Sequence, residues 1–285
     1  MEAVRLDHVT YQYPTSPEPV LWDLSLSVPK GGICAVIGNN GSGKTTCCNV
    51  IRGFAPYLYG GELSGSVKIM GRELKDMSSG ELAAHVGFIF QNPFTQGSGI
   101  RETVFEEIAF GLENLGIAKE EMIRKTEEVI RLLEIEELSF RKPTGLSGGQ
   151  RQRVAIASIL VMDPEVIIMD EPTSQLDPAG TSEIFELMRL LKSRGKTVIL
   201  VEHKMDFVVE YADTVICMEA GKIIAEGMPR EVFADGFLIE RNVTVPQAVR
   251  LGFQMRARGM DLGTIPVTMR EARECIEAYL RGNQG

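Results

Sequence analysis

A chain of 285 residues with 44% hydrophobic and 24% charged content is composed like a folded globular protein, long enough for one large domain or a core with an appendage. No apolar run approaches the ~18 residues that span a bilayer, and Met1-Glu2-Ala3-Val4-Arg5 lacks the basic-then-apolar profile of a signal peptide, so the expected location is the cytoplasm, with any membrane role supplied through a partner. A net charge of −9 weighs against a polyanionic partner, and the five cysteines (Cys34, Cys47, Cys48, Cys217, Cys275) contain no C-x-x-C pair and read as reduced, buried small hydrophobes.

The chain begins with two strand-like pieces, Val4 to Val9 and Leu24 to Val28. Between them, Tyr13 stands just before a proline in Tyr11-Gln12-Tyr13-Pro14. The two tyrosines read as an edge-strand surface, or Tyr13 as a ring that could stack on adenine. The apolar run Ile33 to Ile37 reads as a buried strand. It feeds Gly38-Asn39-Asn40-Gly41-Ser42-Gly43-Lys44-Thr45, the pattern G-x-x-x-x-G-K-[ST] of a phosphate-binding loop, and a helix can follow from Thr46 to Arg52 and stop at Gly53. The chemistry needs these residue types. Glycines let successive backbone N–H groups converge on phosphate oxygens, and the helix start adds its positive dipole end. Lys44 would reach the β- and γ-phosphates, and the Thr45 hydroxyl would ligate Mg²⁺. The plain alternative is a glycine-rich turn that binds no phosphate.

Gly60 to Gly71 reads as loop plus strand, and Val86 to Phe90 as a short buried strand stopped by Gln91-Asn92-Pro93. Gln91 is either an ordinary loop residue or one placed to touch a metal ion or water. From Thr103 to Glu137 the period is helical, with Met122, Ile123, Val129, Ile130, Leu132 and Leu133 on the apolar spacing and Glu127, Glu128 and Arg131 away from it. Leu146-Ser147-Gly148-Gly149-Gln150 follows. Ser147 has N-cap chemistry, and the glycines bare backbone donors at a helix start, which suits either a plain capped helix or a second anion site. One nucleotide cannot fill two distant sites on one monomer, and a dimer that brings this segment onto a partner's nucleotide resolves the conflict.

Val166 to Met169 is a buried strand that delivers Asp170 and Glu171 to its end. Asp170 would hold Mg²⁺, and Glu171 could orient or deprotonate an attacking water. Asp177 and Pro178 match N-cap and N1 of a helix. Thr197 to Val201 is another buried strand, ending at Glu202-His203-Lys204. His203 falls on the same presumed edge as Asp170, where it could reach a γ-phosphate, while His8 and His85 lie in ordinary surroundings. Ala220-Gly221 joins two strands as a hairpin, and Pro246 to Arg258 and Thr268 to Leu280 read as two tail helices. The recurring strand–helix–strand order predicts an α/β fold with a largely parallel sheet.

These segments together resemble an ABC-transporter ATP-binding subunit over roughly residues 3–235. The matching residues are Gly38 to Thr45 (Walker A), Gln91 (Q-loop), Leu146 to Gln150 (signature), Asp170 and Glu171 (Walker B and catalytic carboxylate), Ser174 to Asp177 (D-loop) and His203 (switch histidine), in family order. The resemblance implies a P-loop NTPase fold with a RecA-like core, an antiparallel β-subdomain, a helical subdomain at about 92–162 and a C-terminal helical extension over 236–285. It implies ATP hydrolysis with Mg²⁺. Glu171 and His203 would be catalytic. Tyr13, the loop from Gly38 to Thr45, Thr46 and Gln91 would bind ATP. Thr45, Gln91 and Asp170 would lie at the metal. Leu146 to Gln150 would meet the ATP of a second ATPase subunit, in a homo- or heterodimer.

The stretch Thr103 to Ile117 and the tail look similar to the energy-coupling factor ATPases of cobalt and vitamin uptake. That narrower resemblance implies uptake of a small solute, a membrane coupling protein and a substrate-binding membrane protein as partners, no nucleic acid, and a place on the cytoplasmic face of the cell membrane. After Asn92-Pro93 this chain has Phe94-Thr95 where that group usually has two acids. The alternative reading is a non-transport ABC ATPase acting as a mechanical clamp on nucleic acid or ribosome. The single cassette, the absent coiled-coil insertion and the acidic balance stand against it.

Overall fold

The computed structural model describes residues 1–282. Two sheets make the frame. One is antiparallel, with order β2-β1-β4-β5, from β1 (Glu2–Gln12), β2 (Leu21–Pro29), β4 (Glu62–Ile69) and β5 (Arg72–Glu73). The other has the order β10-β9-β3-β8-β7-β6, from β3 (Ile33–Ile37), β6 (Val86–Ile89), β7 (Val166–Asp170), β8 (Thr197–Val201), β9 (Thr214–Glu219) and β10 (Lys222–Gly227). It is parallel except for the edge strand β10.

Every residue of β3, β7 and β8 is buried, because both faces of the parallel sheet are covered. The pleat sends alternate residues to different layers. Cys34, Val36, Ile168 and Ile199 pack with β1, β2 and α1 (Lys44–Arg52). Ile33, Ile167, Met169 and Leu200 pack with α4 (Val104–Asn114), α5 (Lys119–Leu132), α6 (Gly148–Leu160) and α7 (Pro178–Ser193). Short helices α2 (Phe54–Tyr57) and α3 (Ser79–His85) lie between the two sheets in sequence.

Beyond β8 come α8 (Met205–Tyr211), the β9–β10 hairpin, α9 (Pro229–Ala234), α10 (Phe237–Glu240), α11 (Gln247–Ala257) and α12 (Met269–Gly282). The tail shares a core with the sheet. Leu238, Val243, Val249, Ile265 and Val267 cluster with Ala35, Ile37, Val215 and Cys217.

Several local expectations differ in detail. Strand β1 extends on both sides of Val4–Val9, because it pairs with β2 on one edge and β4 on the other. Tyr11 is fully buried and donates to the Gly60 carbonyl, so only Tyr13 of the two tyrosines keeps exposed surface. On α5 the buried stripe centres on Thr126, Val129 and Ile130, and Ile123 is exposed. Cys34, Cys47, Cys48 and Cys217 are buried, whereas Cys275 is half-buried.

Candidate active site

The C-terminal ends of the parallel strands meet at one edge of the sheet, where α/β folds bind their ligands. Strand β3 enters its loop at Gly38, whose φ is 140°. A Cβ there would lie 2.1 Å from the Met218 carbonyl oxygen on β9, so no side chain fits. Gly43 then starts α1, and no side chain caps that helix. Its first N–H groups are therefore left for another acceptor. Lys44 is buried and folds back, donating from Nζ to the carbonyls of Gly38 at 2.8 Å and Asn39 at 2.9 Å. Burial lowers its pKa, and the Glu171 and Asp170 carboxylates oppose that shift. Ser42 Oγ is buried with no hydrogen-bond partner. A buried lysine without a carboxylate in contact, an orphaned buried hydroxyl and uncapped helix donors are together the donor set a polyphosphate requires.

This loop forms one wall of a cleft of about 500 Å³ lined by Asn40 to Thr46, Val20, Gln91, Glu171 and His203. Tyr13 sits at its margin, with its hydroxyl 3.4 Å from Thr46 Oγ1 and its ring edge-on to Tyr11. Asp170 at the end of β7 is buried. Burial raises its pKa, and the hydrogen bond with Thr45 draws it back. Glu171 holds φ at +47°, a left-handed conformation that costs about 1–3 kcal/mol for a side chain of this kind. Its backbone is fixed by donation to the Val201 carbonyl. Its carboxylate accepts from Gln91 Nε2 at 2.6 Å and faces His203 Nε2 at 3.0 Å. Gln91 and His203, 80 and 32 positions from Glu171 in the sequence, thus both meet its carboxylate.

Ser147 caps α6 in a capping box with Gln150. Leu146 is buried, and Ser147 and Gly148 are exposed. Ser147, Gly149 and Gln150 line a second cleft, of about 530 Å³, with Gln175, Leu176 and Asp177. No residue lines both clefts. The fold therefore keeps this segment apart from the phosphate-loop cleft of its own chain. Of the other histidines, His8 is exposed beside Asp23 and His85 pairs with Glu165.

A family model described as ABC transporter matches residues 21–174, more than half of the chain. The chain belongs to the ABC transporter family. As an ABC transporter ATP-binding subunit it binds and hydrolyses ATP, and its α/β fold is that of the family's P-loop cassettes. The energy-coupling factor transporter ATP-binding protein EcfA1 of Lacticaseibacillus paracasei is 40% identical over 260 residues, covering 90% of each chain. Among solved structures, cbiO1 from Clostridium perfringens, part of the ABC transporter complex cbiONQ, superposes with a TM-score of 0.74 at 30% identity, covering 90% of this chain and 99% of that one. A dimeric ATP-binding cassette in a post-hydrolysis state with ADP and Pi superposes at 0.69 with 29% identity, covering 80% and 99%.

The site of this ABC subunit also holds residues that sequence reading passes over. Val20 lines the cleft. Glu202 and Lys204 flank His203 and bond to the turn after Glu171. The only trace of them in the sequence is a charge on each side of the histidine at a strand end, a pattern shared by many surface loops.

Proposed function

We propose that this subunit drives uptake of a small solute, a vitamin or a metal ion, through an energy-coupling factor type transporter. The observation that carries the reading is the pair of separate clefts, one holding Lys44, Gln91, Glu171 and His203 and the other Ser147, Gly149 and Gln150. ATP bound in the first would be completed by the second cleft of another ATPase subunit, identical or related. Closure is then favoured by ATP, because the partner's donors contact the γ-phosphate only in the closed state, and hydrolysis removes that differential contact.

Within the site, Lys44 and the loop N–H groups bind the phosphates, and Tyr13 offers its ring to the base. Glu171 takes the proton of the attacking water, and Gln91 and His203 hold its carboxylate in place. His203 then stands to donate to the γ-phosphate. Thr45 and Asp170, with Gln91 nearby, are the residues that would hold Mg²⁺, which would supply neutralisation of phosphate charge.

No helix among the described residues is long and apolar enough to cross a membrane. Phe94, Ile100 and Phe140 are exposed, at 59%, 69% and 88%, and the first two follow Gln91 closely in the chain. They supply an apolar surface for a membrane coupling protein, and the phenylalanine at 94 replaces the acid common in the resembled group. This reading puts the subunit on the cytoplasmic face of the membrane with that protein and a substrate-binding membrane protein. The test is a pull-down from solubilised membranes with the Glu171→Gln chain and Mg-ATP. A polytopic membrane protein with a small membrane-embedded partner supports uptake. Ribosomes or DNA in their place would favour a clamp and leave the ATP chemistry intact.

A further inference from the structure

The residues on either side of His203 both reach to the turn that follows Glu171. Glu202 is buried, with 3% of its surface exposed. Its Oε1 accepts from the backbone N–H of His203 at 2.9 Å and of Lys204 at 3.2 Å, and its Oε2 accepts from the Thr173 hydroxyl at 2.7 Å. Lys204 returns the grip. Its Nζ donates to the Thr173 carbonyl at 3.2 Å and to Thr181 Oγ1 at 2.6 Å. The Thr181 hydroxyl in turn donates to the Asp177 carbonyl at 2.8 Å. Thr173 and Thr181 are both buried, at 0% and 1%.

We infer that Glu202 and Lys204 form a clasp that fixes the His203 backbone to the Thr173–Asp177 turn, so that the histidine and the turn move as one body. Two observations support this. The clasp closes on two polar groups of Thr173, its hydroxyl through Glu202 and its carbonyl through Lys204, so the turn cannot shift without breaking bonds made by residues adjacent to His203. In addition, the far end of the turn, Gln175 to Asp177, lines the second cleft, whereas His203 lines the first. A displacement of His203 by a γ-phosphate would therefore be carried to the cleft that meets the other subunit. Neither Glu202 nor Lys204 lines the nucleotide cleft, so both are positioning residues. The inference rests on the proposed role of His203 at the γ-phosphate.

The test measures single-turnover phosphate release by the full-length chain in its assembled complex. Thr181→Val removes an acceptor of Lys204 without changing charge or volume, Lys204→Met removes the donor, and Thr181→Ser restores the hydroxyl. Thr181→Val and Lys204→Met are each combined with His203→Ala. Misplacing a reacting-site group by about 1 Å costs on the order of 10²-fold, so each single variant should slow release by about ten- to hundred-fold while Thr181→Ser stays near the wild-type rate. In the His203→Ala background each should slow release by no more than about two-fold, because the clasp acts only through His203.

A full multiplicative loss in that background, or a Thr181→Ser rate as low as that of Thr181→Val, overturns the clasp. Wild-type release by Thr181→Val beside a slow His203→Ala overturns the clasp alone. Wild-type release by His203→Ala overturns the site reading and the clasp with it. Should Lys204→Met fail to fold, the Thr181 pair still decides.

Discussion

Nε2 of His203 lies 3.0 Å from Oε1 of Glu171, across two strand ends that the parallel pairing of β7 with β8 sets side by side. The contact holds the carboxylate of a residue whose backbone already sits in a left-handed conformation. Strained backbone of this kind persists where its surroundings over-determine it. Here Val201, Gln91 and His203 do so.

Glu171→Gln keeps the shape of this arrangement and removes its basicity. Steady-state turnover should fall by about 10²–10⁴, the contribution of a positioned general base, with ATP affinity retained. Phosphate release and equilibrium nucleotide binding, measured on the same preparation, check this. Turnover that survives in the assembled transporter would assign the base elsewhere.

Lys44→Ala should remove nucleotide binding itself. Hydrogen bonds from a charged donor contribute about 1.5–3 kcal/mol each, so losing this ammonium should weaken ATP by at least roughly ten-fold, and by more where it meets two phosphates. Its present partners are two loop carbonyls, Gly38 and Asn39, which a bound phosphate would replace. Titration with a fluorescent nucleotide gives the ratio directly, and an affinity within a few-fold of wild type would count against the phosphate-loop assignment.

Gly38→Ala tests why the loop begins with glycine. The new Cβ would meet the Met218 carbonyl at 2.1 Å, and a carbonyl in a strand paired on both edges cannot move aside as a side-chain tip can. Gly116 also has positive φ, at 71°, but a Cβ there meets nothing within 4 Å. Gly116→Ala should therefore cost about 1–2 kcal/mol, the left-handed conformational penalty alone, and Gly38→Ala clearly more. Urea midpoints of the two variants compare them. Equal shifts would mean that the strand end relaxes around the added methyl.

Much of this site is legible in the sequence because its signals are local. Strands β3 and β7 are short apolar runs ending in a phosphate loop and in paired acids. The Asp177-Pro178 helix start and the Ala220-Gly221 hairpin are likewise dictated by neighbouring residues, and Asp177 does accept from Gly180 N–H. What escapes the sequence depends on partners far along the chain. Glu202 gains its meaning from Thr173, 29 residues earlier, and the tail gains a core only by packing Leu238 and Val249 on Ala35 and Val215. Neither contact leaves a periodicity. Tyr11 escapes for a related reason. Its ring joins the core and its hydroxyl reaches the Gly60 carbonyl, 49 residues later.

Ser78 and Glu81 show a local signal whose effect is electrostatic. Ser78 caps α3, and Glu81 returns its carboxylate to the Ser78 N–H and hydroxyl and to Arg72. The Ser78 N–H, then the Ser78 hydroxyl, then Arg72 hold the Glu81 pKa at about 2, below the ordinary 4.5. A carboxylate with a depressed folded-state pKa stabilises the fold above its unfolded value, and that contribution is lost as pH falls through the folded one. The contribution of Glu81 is thus complete above about pH 4.5 and fades between there and pH 2. Glu81→Gln retains an acceptor for the cap but does not titrate. Its urea midpoint should lie below that of the wild type at pH 6, and the difference should close as the pH is lowered towards 2. Parallel pH profiles for the two proteins would show that the cap gains nothing from the charge.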